Sequence, residues 1–533
     1  MDSPIVTQLF RQLFRHPACQ SRRNLATALV SRLHHHHGRH HEHDPRRRHD
    51  HGHNHSHNHG QQQQRQQQRR AMTTTRSAHR GAKPSTKDNE ANWQQRTELF
   101  SLDMSEEYNK YPMVTANDLR TRRDRPRKVK MLMRDFIEDS LYNPHYGYFS
   151  KQVVIFSPGE PFDFNSIRDE PSFYAQVGRR YTEFEDALDA KAHDDTRQLW
   201  HTPTELFRPY YGESIARYLI SNYIMKGIYP YDDLIIYEMG AGRGTLMLNI
   251  LDYIRDVEPS VYDRTKYKII EISPSLAALQ TSQMMAGAAT RGHASKVEII
   301  NKSIFDWDVR VPSPCFFLAM EVFDNFAHDV VRYDLRTEEP LQGTVLVDDI
   351  GDFYEFYEPV LDPVAARYLR VRHAATAGRY PAPYGSSRLL RALGRRMPFA
   401  PNLSEPEYIP TRLMQFFDIV EKYFPAHLLL TSDFNTLPDT IKGLNSPVVQ
   451  TRYQRTTVPV TTPLVHQGYF DILFPTDFRI MEAVYGAITG RLTRVMSHED
   501  FMRSWAYLDD TRTRSGENPL LTWYKNASVM VTV

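Results

Sequence analysis

One segment near the middle of the chain constrains the fold more than any other, because it combines a strand, a glycine-rich turn and a helix. Residues 234–239 (LIIYEM) form a short apolar run rich in β-branched side chains, which predicts a buried strand. Residues 240–244 (GAGRG) follow, and apolar residues then recur at helical spacing from Leu246 to Ile254. A strand that leads through glycines into a helix is the corner at which α/β proteins bind nucleotides.

Further apolar runs predict that this corner belongs to a larger α/β sheet. Buried strands that alternate with helices indicate a parallel, Rossmann-like sheet. The runs span residues 267–272, 297–300, 315–320 and 427–430. Residues 343–347 and 353–360 flank a polar turn and predict an antiparallel hairpin. Amphipathic helices are predicted at residues 130–142 and 203–223, and residues 158–200 are predicted to be loop with short helices.

The glycine spacing favours an adenosyl ligand that lacks a pyrophosphate. A dinucleotide-binding fingerprint requires G-x-G-x-x-G, and Thr245 stands where its last glycine belongs. The observed order is an acid, Glu238, followed by glycines at positions 240, 242 and 244, which suits S-adenosylmethionine (SAM). A nicotinamide-dependent oxidoreductase is the less favoured alternative, and glycine-rich turns also occur in proteins that bind no ligand.

Two acids that follow neighbouring strands extend this predicted site. Glu271 ends the second strand, where a carboxylate can accept hydrogen bonds from both ribose hydroxyls; a solvated strand-end acid is the alternative. Asp306 follows the third strand and can accept a hydrogen bond from the adenine amino group, with Phe305 or Trp307 against the ring. An aromatic residue beside an acid is also ordinary loop packing.

Glu321 and Asp324 follow the fourth strand and lie three residues apart. If the turn begins a helix, both carboxylates can face the sulfonium of the cofactor. A guanidinium acceptor must be held and must lose a proton, because arginine stays protonated in water. Two carboxylates can hold the cation and take up its proton. The alternative, which has equal weight, is that Asp324 only caps a helix.

Longer stretches around these residues resemble one known family. Residues 238–246 (EMGAGRGTL) are similar to the E-x-G-P-G-R-G-T-L signature of the MidA-like family, the mitochondrial complex I assembly methyltransferases. The resemblance covers roughly residues 130–480. Four other stretches agree with the family in order, namely residues 136–149, 202–219, 267–280 and 321–324.

The resemblance implies a SAM-dependent methyltransferase of the mitochondrial matrix. Members of this family are associated with symmetric dimethylation of an arginine in a complex I core subunit, so the implied partner is a mitochondrial protein. Glu321 and Asp324 would then be the catalytic acids on the substrate side. The cofactor-binding residues would be Glu238, Gly240, Gly242, Gly244, Thr245, Glu271, Ser273 and Asp306. No metal site is predicted.

Departures from the family pattern leave a second function open. Ala241 replaces the proline after the first glycine, and Met320 replaces the asparagine before the first acid. Residues 151–201 replace the family's G-D-F-x-T loop, which lies near the substrate, and keep only Phe162-Asp163-Phe164. The alternative to an enzyme is a non-catalytic, SAM-binding assembly chaperone on a methyltransferase scaffold.

The first 33 residues have the composition of a mitochondrial transit peptide. They hold five arginines and one acid, and apolar pairs recur one helical turn apart from Ile5 to Phe14. A surface helix or an unfolded tail is the alternative. Residues 1–80 hold 14 arginines, no lysine and four acids, whereas the net charge of the whole chain is only +2. The cationic charge is therefore concentrated in the N-terminal part.

Residues 34–125 are predicted to be a disordered linker, because they contain 13 histidines before residue 60, a glutamine run and few apolar residues. The histidines can also bind a transition metal, without the fixed geometry of a catalytic site. The rest of the chain is predicted to form an N-terminal helical cap, a methyltransferase core in two parts and a basic helical insertion. These segments span residues 126–225, 226–362 with 408–533, and 363–407, respectively.

The basic insertion holds eight arginines and no acid between residues 363 and 404. A solvated face and a binding surface for an acidic partner both fit this composition.

The composition of the whole chain excludes several classes of protein. No stretch of 18 uncharged apolar residues is present, so no membrane-spanning helix is predicted. Two cysteines, Cys19 and Cys315, are too few for a disulfide scaffold, and a net charge of +2 argues against a nucleic-acid-binding chain.

Overall fold

The computed structural model describes residues 93–95, 102–151, 153–271, 282, 284–381, 383–384 and 401–533. The predicted transit peptide, most of the predicted linker, Ser273 and residues 385–400 lie outside the described residues. The helices are α1 Ser105–Lys110, α2 Ala116–Leu119, α3 Met133–Tyr142, α4 Tyr148–Lys151, α5 Glu170–Asp189, α6 Pro203–Leu206, α7 Tyr210–Met225, α8 Thr245–Val257, α9 Pro259–Asp263, α10 Pro363–Ala375, α11 Thr411–Tyr423, α12 Phe478–Thr489, α13 His498–Trp505 and α14 Pro519–Thr522.

Most strands belong to two large sheets. The strands are β1 Trp93–Gln95, β2 Val129–Leu132, β3 Val153–Ile155, β4 Gln198–Trp200, β5 Leu234–Met239, β6 Thr265–Glu271, β7 Val297–Asn301, β8 Cys315–Met320, β9 Asp329–Tyr333, β10 Pro340–Val347, β11 Phe353–Glu358, β12 Glu407–Ile409, β13 His427–Phe434, β14 Val448–Tyr453, β15 Thr456–Val460, β16 Asp471–Leu473, β17 Thr493–Ser497 and β18 Ala527–Thr532. Among the described residues, no helix combines the length and the hydrophobicity needed to span a bilayer.

The central sheet of the described chain has the strand order β17-β18-β13-β8-β5-β6-β7. The five strands from β13 to β7 are parallel, whereas β18 runs antiparallel to β13 and to β17. The order reverses between β5 and β8, because β6 and β7 extend the sheet on one side and β13 on the other. In such sheets a ligand crevice lies at the carboxyl ends of the strands at this switch point. The predicted Rossmann-like fold is confirmed.

Helices cover both faces of the central sheet and form two apolar cores. Side chains of β5 alternate between them, with Ile236 in the core beneath α7 and α8 and Tyr237 in the core beneath α11 and α12. Burial on both faces explains why the strands appear in the sequence as continuous apolar runs. The predicted bounds 234–239 and 315–320 coincide with β5 and β8.

The second large sheet is antiparallel and joins the first through the chain after β8. Its order is β1-β11-β10-β9-β12, with β2 also paired to β10. The predicted hairpin is confirmed as β10 and β11, in which Val345 lies opposite Glu355. Because β9 follows β8 after one short turn, this sheet begins beside the carboxyl end of β8.

The prediction that the linker extends to residue 125 is wrong, because α1 and α2 lie before that boundary. Tyr108 of α1 is buried against the second sheet, where its ring stacks on Phe356 at a centroid distance of 4.1 Å. Its hydroxyl also forms a 2.7 Å hydrogen bond with the hydroxyl of Thr344. One aromatic side chain therefore anchors a helix whose other residues are mostly polar, and composition alone does not show this.

Two predictions about helices are also wrong. The 20-residue helix α5 occupies a region predicted to be loop with short helices. Phe173, Val177, Tyr181 and Phe184 recur at helical spacing and pack against the core beneath α7 and α8. The buried Glu185 also accepts hydrogen bonds from the guanidinium of Arg452 at 2.7 and 2.9 Å, which joins the helix to a distant strand. The predicted helix 203–223 is divided into α6 and α7 around Pro209, which lacks a backbone N–H.

The last third of the chain completes the central sheet, and two of its acids form ion pairs with arginines of the basic insertion. All residues of β18 are buried between β13 and β17. The insertion is helical at α10, as predicted. The guanidinium of Arg372 bonds the buried carboxylate of Glu407, and Arg367 bonds Asp418. These two arginines are therefore engaged within the protein rather than presented to a partner.

Candidate active site

The glycine turn between β5 and α8 has a left-handed backbone. Gly240, Gly242 and Gly244 have φ values of +72°, +54° and +77°, which L-residues rarely adopt. A Cβ atom at Gly242 would lie 2.7 Å from Cδ1 of Ile155, and one at Gly244 would lie 2.8 Å from Cγ of Met284. The turn therefore requires glycine for conformation and for space. It leaves bare backbone at the switch point of the sheet, where a ligand can approach closely.

Thr245 ties the glycine turn to helix α6. Its hydroxyl donates a 2.5 Å hydrogen bond to Oε1 of the buried Glu205. The other carboxylate oxygen of Glu205 accepts a 3.4 Å hydrogen bond from Arg208. Thr245 thus positions the turn, with its hydroxyl already bonded within the protein. No sequence pattern singles out Glu205, although this residue lies inside the family-like stretch 202–219.

Glu238 and Glu271 lie at the carboxyl ends of β5 and β6. The buried carboxylate of Glu238 accepts a 2.8 Å hydrogen bond from the hydroxyl of Tyr267. Burial raises the pKa of Glu238 to about 7, against the lowering effect of Tyr267, and the negative charge of Glu271 adds to the increase. Glu271 is half-buried at the strand end where the sequence predicts a ribose contact. Its role at the ribose stays a prediction, as does any cofactor contact of Glu238.

Asp306 lies farther out, on a single 3-10 turn after β7. Its side chain is 45% exposed, and its carboxylate is 3.1 Å from Nη1 of Arg120. Phe305 is half-buried beside it. Trp307 is buried in the apolar core against Tyr237, so it is unavailable to stack on adenine. Phe305 remains the candidate aromatic contact, and the adenine role of Asp306 stays a prediction.

Four acids meet where the turn after β8 packs against β13 and β16, and we call them the acid cluster. Its members are Glu321, Asp324, Asp433 and Asp471. The backbone N–H of Asp324 donates a 3.2 Å hydrogen bond to Oδ2 of Asp433. The next residue, Asn325, donates a 3.0 Å hydrogen bond to Oδ1 of Asp471. The sequence predicts Glu321 and Asp324 for this site but not Asp433 or Asp471.

The turn that carries Glu321 and Asp324 does not begin an α-helix. It forms one 3-10 turn, Phe323–Asn325, and continues into β9, so the helix on which the first interpretation was conditional is absent here, and the alternative that Asp324 caps a helix is wrong. Oδ1 of Asp324 is buried and has no hydrogen-bond partner among the described residues. Glu321 has a φ of +53°, a conformation that costs a non-glycine residue about 1–3 kcal/mol and is concentrated at functional sites.

Burial raises the pKa of every acid in this cluster. The pKa of Glu321 is raised to about 8 and that of Asp471 to about 7. For Asp324, burial and then the charges of Asp433, Asp471 and Glu321 raise the pKa well above its usual range. A bound cation would relieve this repulsion and satisfy the unpaired oxygen of Asp324, so the acid cluster favours a positively charged ligand.

Tyrosine side chains line the acid cluster. Tyr142 of α3 donates a 3.2 Å hydrogen bond to the carbonyl oxygen of Asn325. Burial raises the pKa of Tyr142, and the charges of Glu138, Asp324, Asp471 and Glu271 add to this effect. Tyr211 and Tyr524 are buried near Glu321, whose charge raises the pKa of each after burial itself. All three phenols are therefore neutral at physiological pH.

We expect the stability of the ligand-free protein to fall as the pH rises from about 4.5 to about 8. The unfolded chain releases the protons of Glu238 and Glu321 near pH 4.3, whereas the folded protein keeps them until pH of about 7 and 8. The folded state therefore binds more protons in this interval, and each group costs about 1.4 kcal/mol of unfolding free energy per pH unit.

Urea unfolding at pH 5, 6.5 and 8 measures this effect. The matched variant Glu321→Gln has no proton to retain at this position, and we expect its stability to depend less steeply on pH. A wild-type stability that rises across the interval would contradict the proton retention inferred for these buried carboxyl groups.

Comparison with known proteins agrees with this geometry. A family model for S-adenosyl-L-methionine-dependent methyltransferases matches residues 214–496, from α7 to β17. The mitochondrial protein arginine methyltransferase NDUFAF7 homolog of Schizosaccharomyces pombe is 23% identical over 395 residues, which are 71% of this chain and 80% of that protein.

Solved structures include two of a protein from Burkholderia thailandensis that cover 76% of this chain and 87% of that chain at 16% identity. The structure with bound S-adenosyl-homocysteine has a TM-score of 0.47, and the native structure has a TM-score of 0.45. The family model matches more than half of the chain, and the glycine turn lies at the switch point of the sheet, where such folds bind a ligand. The chain belongs to the family of S-adenosyl-L-methionine-dependent methyltransferases.

Proposed function

We propose that this protein is a protein-arginine N-methyltransferase. The observation that carries the proposal is the acid cluster, in which the unpaired Oδ1 of Asp324 is buried beside Asp433 and Asp471. A guanidinium is a planar cation with five donors, and it pairs with carboxylates through parallel hydrogen bonds. A neutral or anionic acceptor would give these carboxyl groups no counter-charge, so they would stay protonated.

The residues of the crevice can perform the steps that such a transfer needs. Glu321 and Asp324 hold the guanidinium and orient one of its nitrogens, so that positioning accounts for much of the rate enhancement. The bound cofactor supplies the methyl group. The acceptor nitrogen gives up a proton as it is methylated, and the raised pKa of Glu321, about 8, makes its carboxylate a suitable acceptor for that proton. Tyr211 and Tyr524 exclude water beside Glu321.

The proposed compartment and substrate rest on a relative, on the N-terminal composition and on the family resemblance. The fission-yeast relative is named as a mitochondrial protein arginine methyltransferase. The arginine-rich, acid-poor residues 1–33 support import into the mitochondrial matrix. By the family resemblance, the substrate is a complex I core subunit whose arginine is dimethylated symmetrically, and the modification supports assembly of the respiratory complex.

Transfer of a tritiated methyl group tests the proposal. Purified full-length protein and labelled SAM are added to mitochondrial extract from cells that lack the protein. We expect one labelled protein, and acid hydrolysis of that protein should release labelled symmetric dimethylarginine. A matched peptide with citrulline in place of the target arginine should accept no label, because citrulline has the same shape without the charge. Label on lysine, or none in any extract protein, would contradict the proposed function.

A second candidate is a non-catalytic, SAM-binding assembly chaperone. It is favoured by Met320, a partly buried thioether that packs against the apolar core at the end of β8, where the family pattern has a polar asparagine. Complementation in cells separates the two functions. An Asp324→Asn variant that restores respiratory complex assembly without methylating any protein would favour the chaperone.

A further inference from the structure

Asp433 lies at the end of β13, next to β8, with only 1% of its surface exposed. Its Oδ2 atom accepts hydrogen bonds from the backbone N–H groups of Phe323 at 2.8 Å and Asp324 at 3.2 Å. Its Oδ1 atom accepts a 2.7 Å hydrogen bond from the N–H of Phe434. Both carboxylate oxygens are therefore bonded to backbone, and two of these bonds hold the turn that carries the proposed catalytic acids.

The same turn is held from two further directions. The N–H of Glu321 donates to the carbonyl oxygen of Ser432 at 2.8 Å, and the N–H of Phe474 donates to the carbonyl oxygen of Asp324 at 2.7 Å. Such bonds are what allow Glu321 to keep a left-handed backbone, because a strained conformation persists only where its surroundings determine it. The bonds to Ser432 and from Phe474 join backbone to backbone, whereas Asp433 holds the turn with its side chain, which a substitution can change.

We propose that Asp433 is a positioning residue for methyl transfer, which holds residues 321–324 so that Glu321 and the unpaired oxygen of Asp324 face the acceptor group. This inference rests on the proposed arginine methyltransferase function. Asp433 acts through the turn, because its own oxygens are already bonded to backbone N–H groups. A displacement of about 1 Å in groups that orient a reacting substrate can lower the rate about 100-fold.

The charge of Asp433 gives the role a second, independent signature. The charged or titratable groups that act on Asp324 are Asp433 from β13, Asp471 from β16, Glu321 from the same turn and Tyr142 from α3. The negative charge of Asp433 raises the pKa of Asp324 and of Glu321, because it disfavours their ionisation. Removal of that charge should lower both pKa values, so the acidic limb of the pH–rate profile should move to lower pH.

The variant Asp433→Asn in the full-length protein tests both signatures. It removes the charge and places an amide where two oxygens now accept hydrogen bonds. We expect kcat for methyl transfer to an arginine peptide to fall about 100-fold, with the affinity for SAM unchanged and the acidic limb shifted to lower pH. The variant Asp433→Glu keeps the charge but adds one methylene, so we expect a loss of kcat without a shift of the limb.

Asp348→Asn is the matched control. Oδ1 of Asp348 accepts three backbone N–H bonds at 2.8–3.0 Å in the turn between β10 and β11, outside the acid cluster. We expect this variant to lose stability in thermal unfolding while kcat and the pH profile stay as in the wild type.

The outcomes separate the positioning role of Asp433 from the proposed arginine methyltransferase function. If the wild type methylates arginine and Asp433→Asn does so with the same kcat, or with no greater loss than Asp348→Asn, the positioning role is overturned. If Asp433→Asn fails to fold, the result with Asp433→Glu decides, because that variant keeps the charge and an acceptor; an unchanged kcat overturns the role. If the wild type methylates no arginine substrate, the proposed function itself fails and the inference fails with it.

Discussion

A Gly242→Val variant is expected to lose measurable binding of SAM. Gly242 has a φ of +54°, and an added Cβ atom would lie 2.7 Å from Cδ1 of Ile155. A left-handed backbone costs an L-residue about 1–2 kcal/mol, and the clash adds to this by displacing either Ile155 or the turn. A combined loss of about 3 kcal/mol at the cofactor corresponds to an affinity reduced more than about 100-fold. Isothermal titration calorimetry with SAM and S-adenosylhomocysteine measures the change.

The control for this variant is Gly227→Val. Gly227 has a φ of +69°, so the backbone strain is similar, but no atom of the described residues lies within 4 Å of an added Cβ. It follows α7 at the amino end of β5, at the opposite edge of the sheet from the glycine turn. We expect Gly227→Val to lower the thermal unfolding temperature and to leave the affinity for SAM intact. Wild-type affinity in folded Gly242→Val would place the cofactor elsewhere.

An Asp324→Asn variant is expected to bind SAM normally and to transfer methyl groups about 1,000-fold more slowly, because it loses one of the two carboxylates that hold the guanidinium, and removing one partner of a buried ion pair costs about 3–5 kcal/mol. The same variant should be more stable than the wild type at neutral pH. Oδ1 of Asp324 is buried without a hydrogen-bond partner, and the folded protein must keep a proton on this carboxyl that the unfolded chain releases. Asparagine has no such proton to keep, so the gain should grow with pH by up to about 1.4 kcal/mol per unit above pH 4.

Asp139→Asn provides the matched comparison, because Asp139 is also buried but is fully bonded. Its carboxylate accepts hydrogen bonds from the hydroxyl of Tyr146 at 2.8 and 2.9 Å and from the side chain of Asn143 at 2.8 Å. Burial raises the pKa of Asp139 to about 6, but the hydrogen bonds from Asn143 and Tyr146 oppose this increase. An asparagine keeps one acceptor oxygen for these donors, so we expect the lost hydrogen bonds to outweigh the removed proton uptake and Asp139→Asn to be less stable than the wild type, the opposite sign to Asp324→Asn. Urea unfolding measures both variants, and methyl transfer to an arginine peptide is measured in parallel. If Asp324→Asn loses stability as Asp139→Asn does, the carboxylate of Asp324 stabilises the fold, and this would contradict its role as a group kept for the substrate.

Several elements of the site follow from patterns within a few residues. The runs at 234–239 and 315–320 are apolar throughout because β5 and β8 are covered on both faces, and this is why their bounds could be predicted. The glycine turn follows from the same kind of local information, since left-handed backbone at positions 240, 242 and 244 favours one residue type. Glu271, Asp306 and Glu321 each end or follow a parallel strand. Because parallel strands end at a common edge of the sheet, the sequence predicts that these acids lie at one site.

Other elements depended on contacts between distant parts of the chain. The hydroxyl of Thr245 meets Glu205 across 40 residues. Asp433 is 109 residues from Asp324 and could have been found by applying the strand-end rule to β13, had the predicted run 427–430 been extended to the true end of that strand. Asp471 begins the short strand β16, and no local pattern sets it apart.

The sequence by itself determined that this chain builds a parallel sheet with a glycine turn after the strand 234–239 and two acids after the strand 315–320. Burial and backbone conformation of consecutive residues are local properties, and residue types record them directly. Only the tertiary structure decided that Asp433 and Asp471 join Glu321 and Asp324, and that Oδ1 of Asp324 has no hydrogen-bond partner in the described part of the chain. Those facts depend on which strands become neighbours in the folded sheet, and the spacing of residues along the sequence does not encode the strand order.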